Sequence, residues 1–197
     1  PKERETQICM NDYKYVDLIL GKQCQTKMGR GGIRPLEFKT FSKEMQNAIT
    51  NYCQAGGNFF VSGAYVASDL WDNRLVKANE EDKKFAMEVL KYKWRVGQAA
   101  RNGKVKSVAS PFPEITGSYT YYQDLNPESY VVESPDALEP AAQGAFTILR
   151  YSENNLSAGI AYKGNYKTCV LGFPFEAIRT VTERELLMKA ILTFFEH

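Results

Sequence analysis

The chain has 197 residues, with 25 Lys+Arg against 23 Asp+Glu and a formal net charge of +2. Hydrophobic residues make up 44% and charged residues 24%, and 11 Phe, 12 Tyr and 2 Trp supply core material, so the composition excludes a disordered chain. So small a charge excess argues against a nucleic-acid binder working by bulk attraction, and no apolar run approaches the ~18 residues of a membrane-spanning helix.

The opening Pro1 to Glu5 is polar and reads as a linker or a cut end. Tyr15 to Leu20 is a short apolar run stopped by Gly21, which predicts a buried strand. Residues 22–40 form a long loop. Within it Gly29, Gly31 and Gly32 stand among Lys27, Arg30 and Arg34, an anion cradle by composition that lacks the G-K-[ST] ending of a P-loop. From Ser42 a helix is predicted, because Met45, Ile49, Tyr52 and Cys53 share one face, and Gly56-Gly57 stops it. Phe59 to Val61 then predicts a second buried strand ending at Ser62-Gly63. Strand, helix and strand make a βαβ unit, hence parallel pairing. Ala64 to Trp71 reads as a short helix, and Asn79 as the cap of another that carries Phe85, Val89 and Leu90.

After Lys91 the pattern changes. Tyr92, Trp94 and Val96 alternate with Lys91, Lys93 and Arg95, and Asn102-Gly103 predicts a hairpin whose return strand is Lys104 to Ala109. Pro111 and Pro113 open an irregular stretch holding Tyr119, Tyr121 and Tyr122, followed by a strand around Tyr130 to Val132. Ala145 to Tyr151, Ser157 to Lys163 and Tyr166 to Gly172 read as a three-stranded meander. Thr182-x-x-Glu185 reads as a capping box for a final helix with an apolar stripe of Leu186, Leu187, Ala190, Ile191, Phe194 and Phe195. No repeat or composition break divides the chain, so residues 1–197 read as one domain.

The histidine count narrows the chemistry. The one histidine is His197, the last residue, where chains fray. That sets aside Ser-His-Asp and Cys-His triads and His-x-x-x-His metal sites. Cys9, Cys24, Cys53 and Cys169 contain no C-x-x-C pair, so neither a metal nor a cofactor is expected. Cys53 and Cys169 fall at apolar positions that suit buried free thiols, while Cys9 and Cys24 could pair in an oxidising compartment. Asn155-Leu156-Ser157 is a glycosylation acceptor in a eukaryotic secretory host.

Two segments carry a resemblance. Residues 46–72, from Gln46 through Gly56-Gly57-Asn58-Phe59-Phe60-Val61-Ser62-Gly63 to Asp72, resemble the helix, strand and elbow of class I glutamine amidotransferase-like folds. Residues 171–178, Leu-Gly-Phe-Pro-Phe-Glu-Ala-Ile, with the helix after them, resemble the closing strand of modules in bacterial secreted proteins labelled putative xanthan lyases. The resemblance implies an α/β fold, a flavodoxin-like three-layer sandwich with a mostly parallel sheet, to which the hairpin and meander add antiparallel strands. It also implies an extracytoplasmic setting. The family's elbow presents a nucleophilic Cys assisted by a His; here the elbow reads Val61-Ser62-Gly63-Ala64 with no internal histidine, so the amidotransferase chemistry does not carry over. The family's first strands usually precede the segment that starts here at Tyr15. The parallel part therefore reads as truncated before Pro1, with an apolar face of Tyr15 to Leu20 left exposed or covered by another chain.

The candidate catalytic residues are Ser62, Glu176 and Asp69. Ser62 sits on the elbow, where backbone amides face a strand end, or else it caps the next turn. Glu176 and Asp69, with Asp72, fall near strand ends where open α/β sheets bind ligands, or else they hold loops. The candidate ligand-binding residues are Tyr119, Tyr121 and Tyr122, as stacking platforms for sugar rings or half-buried strand tyrosines. Lys91, Lys93 and Arg95 join them, as a basic strand face for an acidic polysaccharide or a solvated face that discourages edge pairing. The expected function is a non-catalytic module of a larger extracytoplasmic protein, a scaffold or glycan binder whose partners are polysaccharide and the other domains of its parent chain. The alternative is a polysaccharide lyase or hydrolase using carboxylate or tyrosine acid–base chemistry.

Overall fold

The computed structural model describes residues 9–28, 36–72 and 79–197. A 3-10 turn (Met10–Asp12) leads into β1 (Tyr15–Gly21), followed by a short ribbon of β2 (Thr26–Met28) and β3 (Leu36–Phe38). Then come α1 (Lys43–Gln54), β4 (Asn58–Gly63), α2 (Ser68–Trp71) and α3 (Glu80–Phe85), the last continuing as a π-helical turn over Ala86–Leu90. The second half holds β5 (Tyr92–Val96), β6 (Lys104–Ser107), β7 (Ser118–Thr120), β8 (Ala137–Pro140), β9 (Ala145–Tyr151), β10 (Ser157–Lys163), β11 (Lys167–Leu171) and α4 (Val181–Glu196). No helix among the described residues is long and apolar enough to cross a membrane.

Seven strands form one sheet in the order β1-β4-β11-β10-β9-β6-β7. Period-2 alternation loads both of its faces. Phe59 and Val61 of β4, Val170 of β11 and Ile160 of β10 pack with Ile49, Tyr52 and Cys53 of α1 and with Phe85 and Leu90. Phe60, Cys169, Leu171 and Ala161 point the other way, onto Leu187, Ala190, Ile191, Phe194 and Phe195 of α4. Both central cysteines are free and buried, and burial pushes the Cys53 thiol up to about 12. Cys9 is not bridged to Cys24.

The expected flavodoxin-like sandwich is corrected by this sheet. Only β1–β4 and β4–β11 pair in parallel, whereas β11–β10, β10–β9, β9–β6 and β6–β7 are antiparallel. The result is a mixed, β-rich sheet curled into a half-barrel with few helices. The cause lies in the connections. A parallel crossover needs an intervening helix, which α1 supplies between β1 and β4, while the tight turns after β9 and β10 can return the chain only antiparallel.

Three local expectations also change. Asn102-Gly103 does not close a hairpin of β5 on β6: β5 pairs with β8, and β6 lies between β9 and β7. Gly103 does adopt φ +62°, but its carbonyl accepts from Tyr121 N at 2.8 Å, so the turn feeds a different partner. Residues 130–132 form no strand. The cap of the final helix lies two residues before Thr182: Thr180 is the cap, its hydroxyl accepting from Glu183 N at 3.1 Å and donating to the Glu183 carboxylate at 2.9 Å. The βαβ unit, the start of α1 at Ser42, the Asn79 cap of α3 and the meander stand where the pattern put them.

Candidate functional site

β1, β4 and β11 run the same way, so their carboxyl ends meet on one rim, the place where open sheets with parallel strands receive ligands. The rim is tied internally. Ala64 N donates to Gly21 O at 2.9 Å, joining the ends of β1 and β4. Ser62 is fully buried, and its hydroxyl accepts from Phe175 N at 3.3 Å. The elbow serine thus ties β4 to the loop after β11.

Glu176 lies in the 3-10 turn Phe175–Ala177, beside the end of β1. Tyr130 Oη donates to its Oε1 at 2.5 Å, while Oε2 is buried and meets no hydrogen-bond partner among the described residues. Burial and then the Glu176 carboxylate push the Tyr130 phenol far above its usual range. Gly21, at φ +57°, permits this arrangement: a Cβ there would stand 3.2 Å from Glu176 Oε1 and 3.3 Å from Tyr130 Oη. Lys22 lies over the Tyr130 ring and pairs with Glu133 at 2.6 Å. Asp17, on the accessible face of β1, is pushed up to about 6 by the surrounding protein and, after it, by the Glu176 charge.

Asp69 is fully buried in α2 and works as a clamp. Its Oδ1 accepts from Gln25 N at 2.6 Å and its Oδ2 from Thr40 N at 2.8 Å, holding both ends of the 22–40 segment to the helix. The glycine-rich stretch Gly29, Arg30, Gly31, Gly32 and Arg34 lies outside the described residues.

A second buried acid, Asp136, anchors the other side of the rim. Its Oδ2 accepts from Ala67 N (2.8 Å) and Ser68 N (2.7 Å), and its Oδ1 from Trp94 Nε1 (3.2 Å). Burial pushes its carboxyl up to about 7 against the pull of those donors and of the Ser68 side chain. In front of it lies a pocket of about 390 Å³ lined by Tyr65, Ser68, Asp72, Val96, Gly97, Gln98 and Ser134. The segment carrying Asp136 is pressed against the end of β11: Asp136 N donates to Gly172 O at 2.7 Å, and Tyr151 Oη donates to Asp136 O at 2.7 Å. No sequence signal marked Asp136. Ser134-Pro135-Asp136 reads as an ordinary turn, and its partners in α2 lie 68 and 69 residues away.

The remaining candidates are dispersed. Tyr121 is fully buried and stacks on Phe173 with ring centroids 4.9 Å apart. Tyr119 is buried, its hydroxyl donating to Thr116 O at 3.0 Å. Tyr122 donates to Glu128 and carries the Arg179 guanidinium over its ring. These rings build core and loop packing rather than one shared platform. Lys91, at φ +67°, leans over Tyr162 and Tyr166. Lys93 stands opposite Glu139 in register, and Arg95 pairs with the same carboxylate at 3.5 Å. The basic row is thereby met by an acid from β8.

No family model and no curated protein matches the chain. Among solved structures, a β-galactosidase from Rahnella sp. R3 is similar over 96% of this chain and 24% of its own, at 12% identity and a TM-score of 0.58, which shows a shared fold. An exo-β-1,4-mannosidase from Opitutaceae bacterium strain TAV5 is similar over 94% of this chain and 25% of its own, at 8% identity and a TM-score of 0.48. The N-terminal domain of mmIFT52 is similar over 79% and 72%, at 15% identity and a TM-score of 0.42. The chain spans about a quarter of the length of the two glycosidases.

Proposed function

We propose that this chain is a non-catalytic, carbohydrate-associated module of a larger extracytoplasmic protein. The observation that carries the reading is the state of the candidate catalytic groups. Ser62, Asp69 and Asp136 each make internal hydrogen bonds that hold one chain segment to another, and Glu176 takes the Tyr130 hydroxyl. A general acid or base must reach a substrate proton, and a nucleophilic serine needs a base beside it. Ser62, Asp69 and Asp136 are all buried. The carbohydrate association is supported by the galactosidase likeness, in which nearly the whole chain corresponds to a quarter of a sugar-processing enzyme. Kinship with amidotransferase-like modules of secreted proteins, and with it the extracytoplasmic setting, rests on residues 46–72 and 171–178.

The test is affinity electrophoresis of the purified chain over neutral and acidic polysaccharides, run beside a screen for new reducing ends or unsaturated products. Retention without turnover is expected. One alternative has an observation of its own: the neighbouring fold belongs to a hydrolase, and Glu176 with Tyr130 forms a short-bonded acid–phenol pair on the rim. Turnover that disappears in Glu176→Gln would replace the module reading with a hydrolase or lyase.

A further inference from the structure

We infer that the groove between β1 and α4 receives a β-strand joined to an amphipathic helix, contributed by the parent chain from outside these 197 residues. The strand extends the sheet at β1, and the helix lies beside α4 with a Lys or Arg reaching Asp17 and Glu176. This docking rests on the module reading above and locates the parent chain's attachment.

β1 is a parallel strand with one covered face. Val16, Leu18 and Leu20 pack with the cluster under α1. Asp17 and Ile19 stand in register with Phe60 and Ser62, and so point to the α4 side. There Ile19 is exposed, and no strand pairs with the outer edge of β1 among the described residues. Parallel strands are normally covered by helices on both faces, and an open edge accepts a strand through its main chain.

α4 supplies the other wall. Beside the stripe that it buries on the sheet, Val181, Met188 and Leu192 form a second one, which lines a groove of about 540 Å³ together with Phe175. Val181 is 59% exposed and Leu192 38%. Two apolar stripes on one helix call for two packing partners. The groove is continuous with β1: Phe175 meets Phe60 edge-on, and Tyr15 stacks on Phe195, both with ring centroids 5.8 Å apart.

Charge narrows the occupant. The rim residues Arg184, Glu185, Lys189 and Glu196 mix both signs, which suits the flanks of a helix better than a lipid or a polyanion. Near the end of β1, Glu176 Oε2 is buried and meets no hydrogen-bond partner among the described residues. Lys22, the cation closest in sequence to Asp17 on its C-terminal side, is held by Glu133. A basic side chain of the incoming segment completes both carboxylates. A second copy of β1 fits badly: a two-fold pairing centred on Leu18 sets the two Asp17 side chains diagonal, about 7–8 Å apart, like charge against like.

Hydrogen exchange at pH 8, read by mass spectrometry, would compare the 197-residue chain with the full polypeptide of its source, whose intact mass is measured first. The β1 amides are expected to exchange at least about tenfold more slowly in the full polypeptide. Leu192→Lys and Val181→Glu place charges where the α4 dipole favours them, so each should leave the Tm of the 197-residue chain within about 2 °C. In the full polypeptide either one should remove the protection, and Asp17→Asn should weaken it. Equal exchange of β1 in both proteins, or protection that survives these variants, would overturn the docking while the module reading stands. A source polypeptide of only 197 residues would overturn both. A concentration-dependent dimer of the chain at pH 8 that protects β1 would give the groove to a second copy and overturn the parent segment.

Discussion

Gly172, the first residue past β11, is the tightest packing point behind the candidate site, and Gly172→Ala probes it directly. An added Cβ would lie 2.0 Å from Asp136 O and 3.0 Å from Asp136 C, both backbone atoms, and 3.3 Å from Tyr151 Oη. Backbone cannot rotate aside as a side-chain tip would, so the strand end and the Asp136 segment must separate by about 1 Å or more. That separation breaks or stretches the bond from Asp136 N to Gly172 O and the bond from Tyr151 Oη to Asp136 O, each 2.7 Å long. Two buried hydrogen bonds are worth roughly 1–3 kcal/mol together, and overpacking adds about 1–3. Removing a glycine from the unfolded chain returns about 0.4–1 kcal/mol. The expected net loss is about 3 kcal/mol, or a Tm lowered by roughly 6–12 °C for a domain of this size. Urea denaturation followed by circular dichroism measures it. Gly117→Ala is the control: Gly117 has φ +80° and nothing within 4 Å, so only backbone strain of about 1–2 kcal/mol applies. A loss below about 1 kcal/mol for Gly172→Ala, or one no larger than the control, would refute the reasoning.

Three further outcomes are expected. Asp136 carries a carboxyl raised from 3.8 to about 7, so the folded chain keeps its proton to higher pH than the unfolded chain. Its stabilising contribution is complete below about pH 4 and lost as pH rises through about 7. Urea midpoints at pH 5 and pH 8 should show a decline that flattens in Asp136→Asn, and identical declines in both proteins would contradict it. Tyr151→Phe removes the only hydroxyl bonded to both Asp136 O and Gly172 O among the described residues, and should cost about 1–2 kcal/mol by the same assay. Thr180→Ala should lower stability by about 1 kcal/mol while Thr182→Ala stays within about 0.5, which thermal melts of the pair can separate.

The elements that periodicity and caps define were legible in the sequence. Met45, Ile49, Tyr52 and Cys53 place α1, Phe59 to Val61 place β4, and the stripe Leu187, Ala190, Ile191, Phe194 and Phe195 places α4 against the sheet, although Leu186, predicted in the same stripe, is exposed. Strand partnership was not. β5 alternates as a hairpin strand should, yet Tyr92 and Trp94 find their cross-strand partners on β8, beyond β6 and β7 in the chain. A turn dipeptide reports local φ and says nothing about which apolar face a strand will meet. Extending the βαβ unit to the whole sheet failed for a related reason, because the strands after Ala145 are joined by turns too short for a crossover. In the candidate site, Ser62, Asp69 and Glu176 were legible as strand-end residues, but their roles depend on Phe175 N, Thr40 N and Tyr130, which only the folded chain brings to them. Asp136 left no sequence mark, because it acts through Ala67 N and Ser68 N, which are remote in the chain.

Among the described residues β1 ends the sheet, and this position bears on solubility. Its run Tyr15-Val16-Asp17-Leu18-Ile19-Leu20 is apolar and β-prone save for one acid at its centre, and Ile19 is 52% exposed. An outer strand of that composition is a template for self-association unless something interrupts it, and a central charge is a common gatekeeper. Asp17 is that gatekeeper, and its carboxyl titrates at about 6. Mild acid therefore removes the guard's charge, so self-association through this edge should rise as pH falls through about 6.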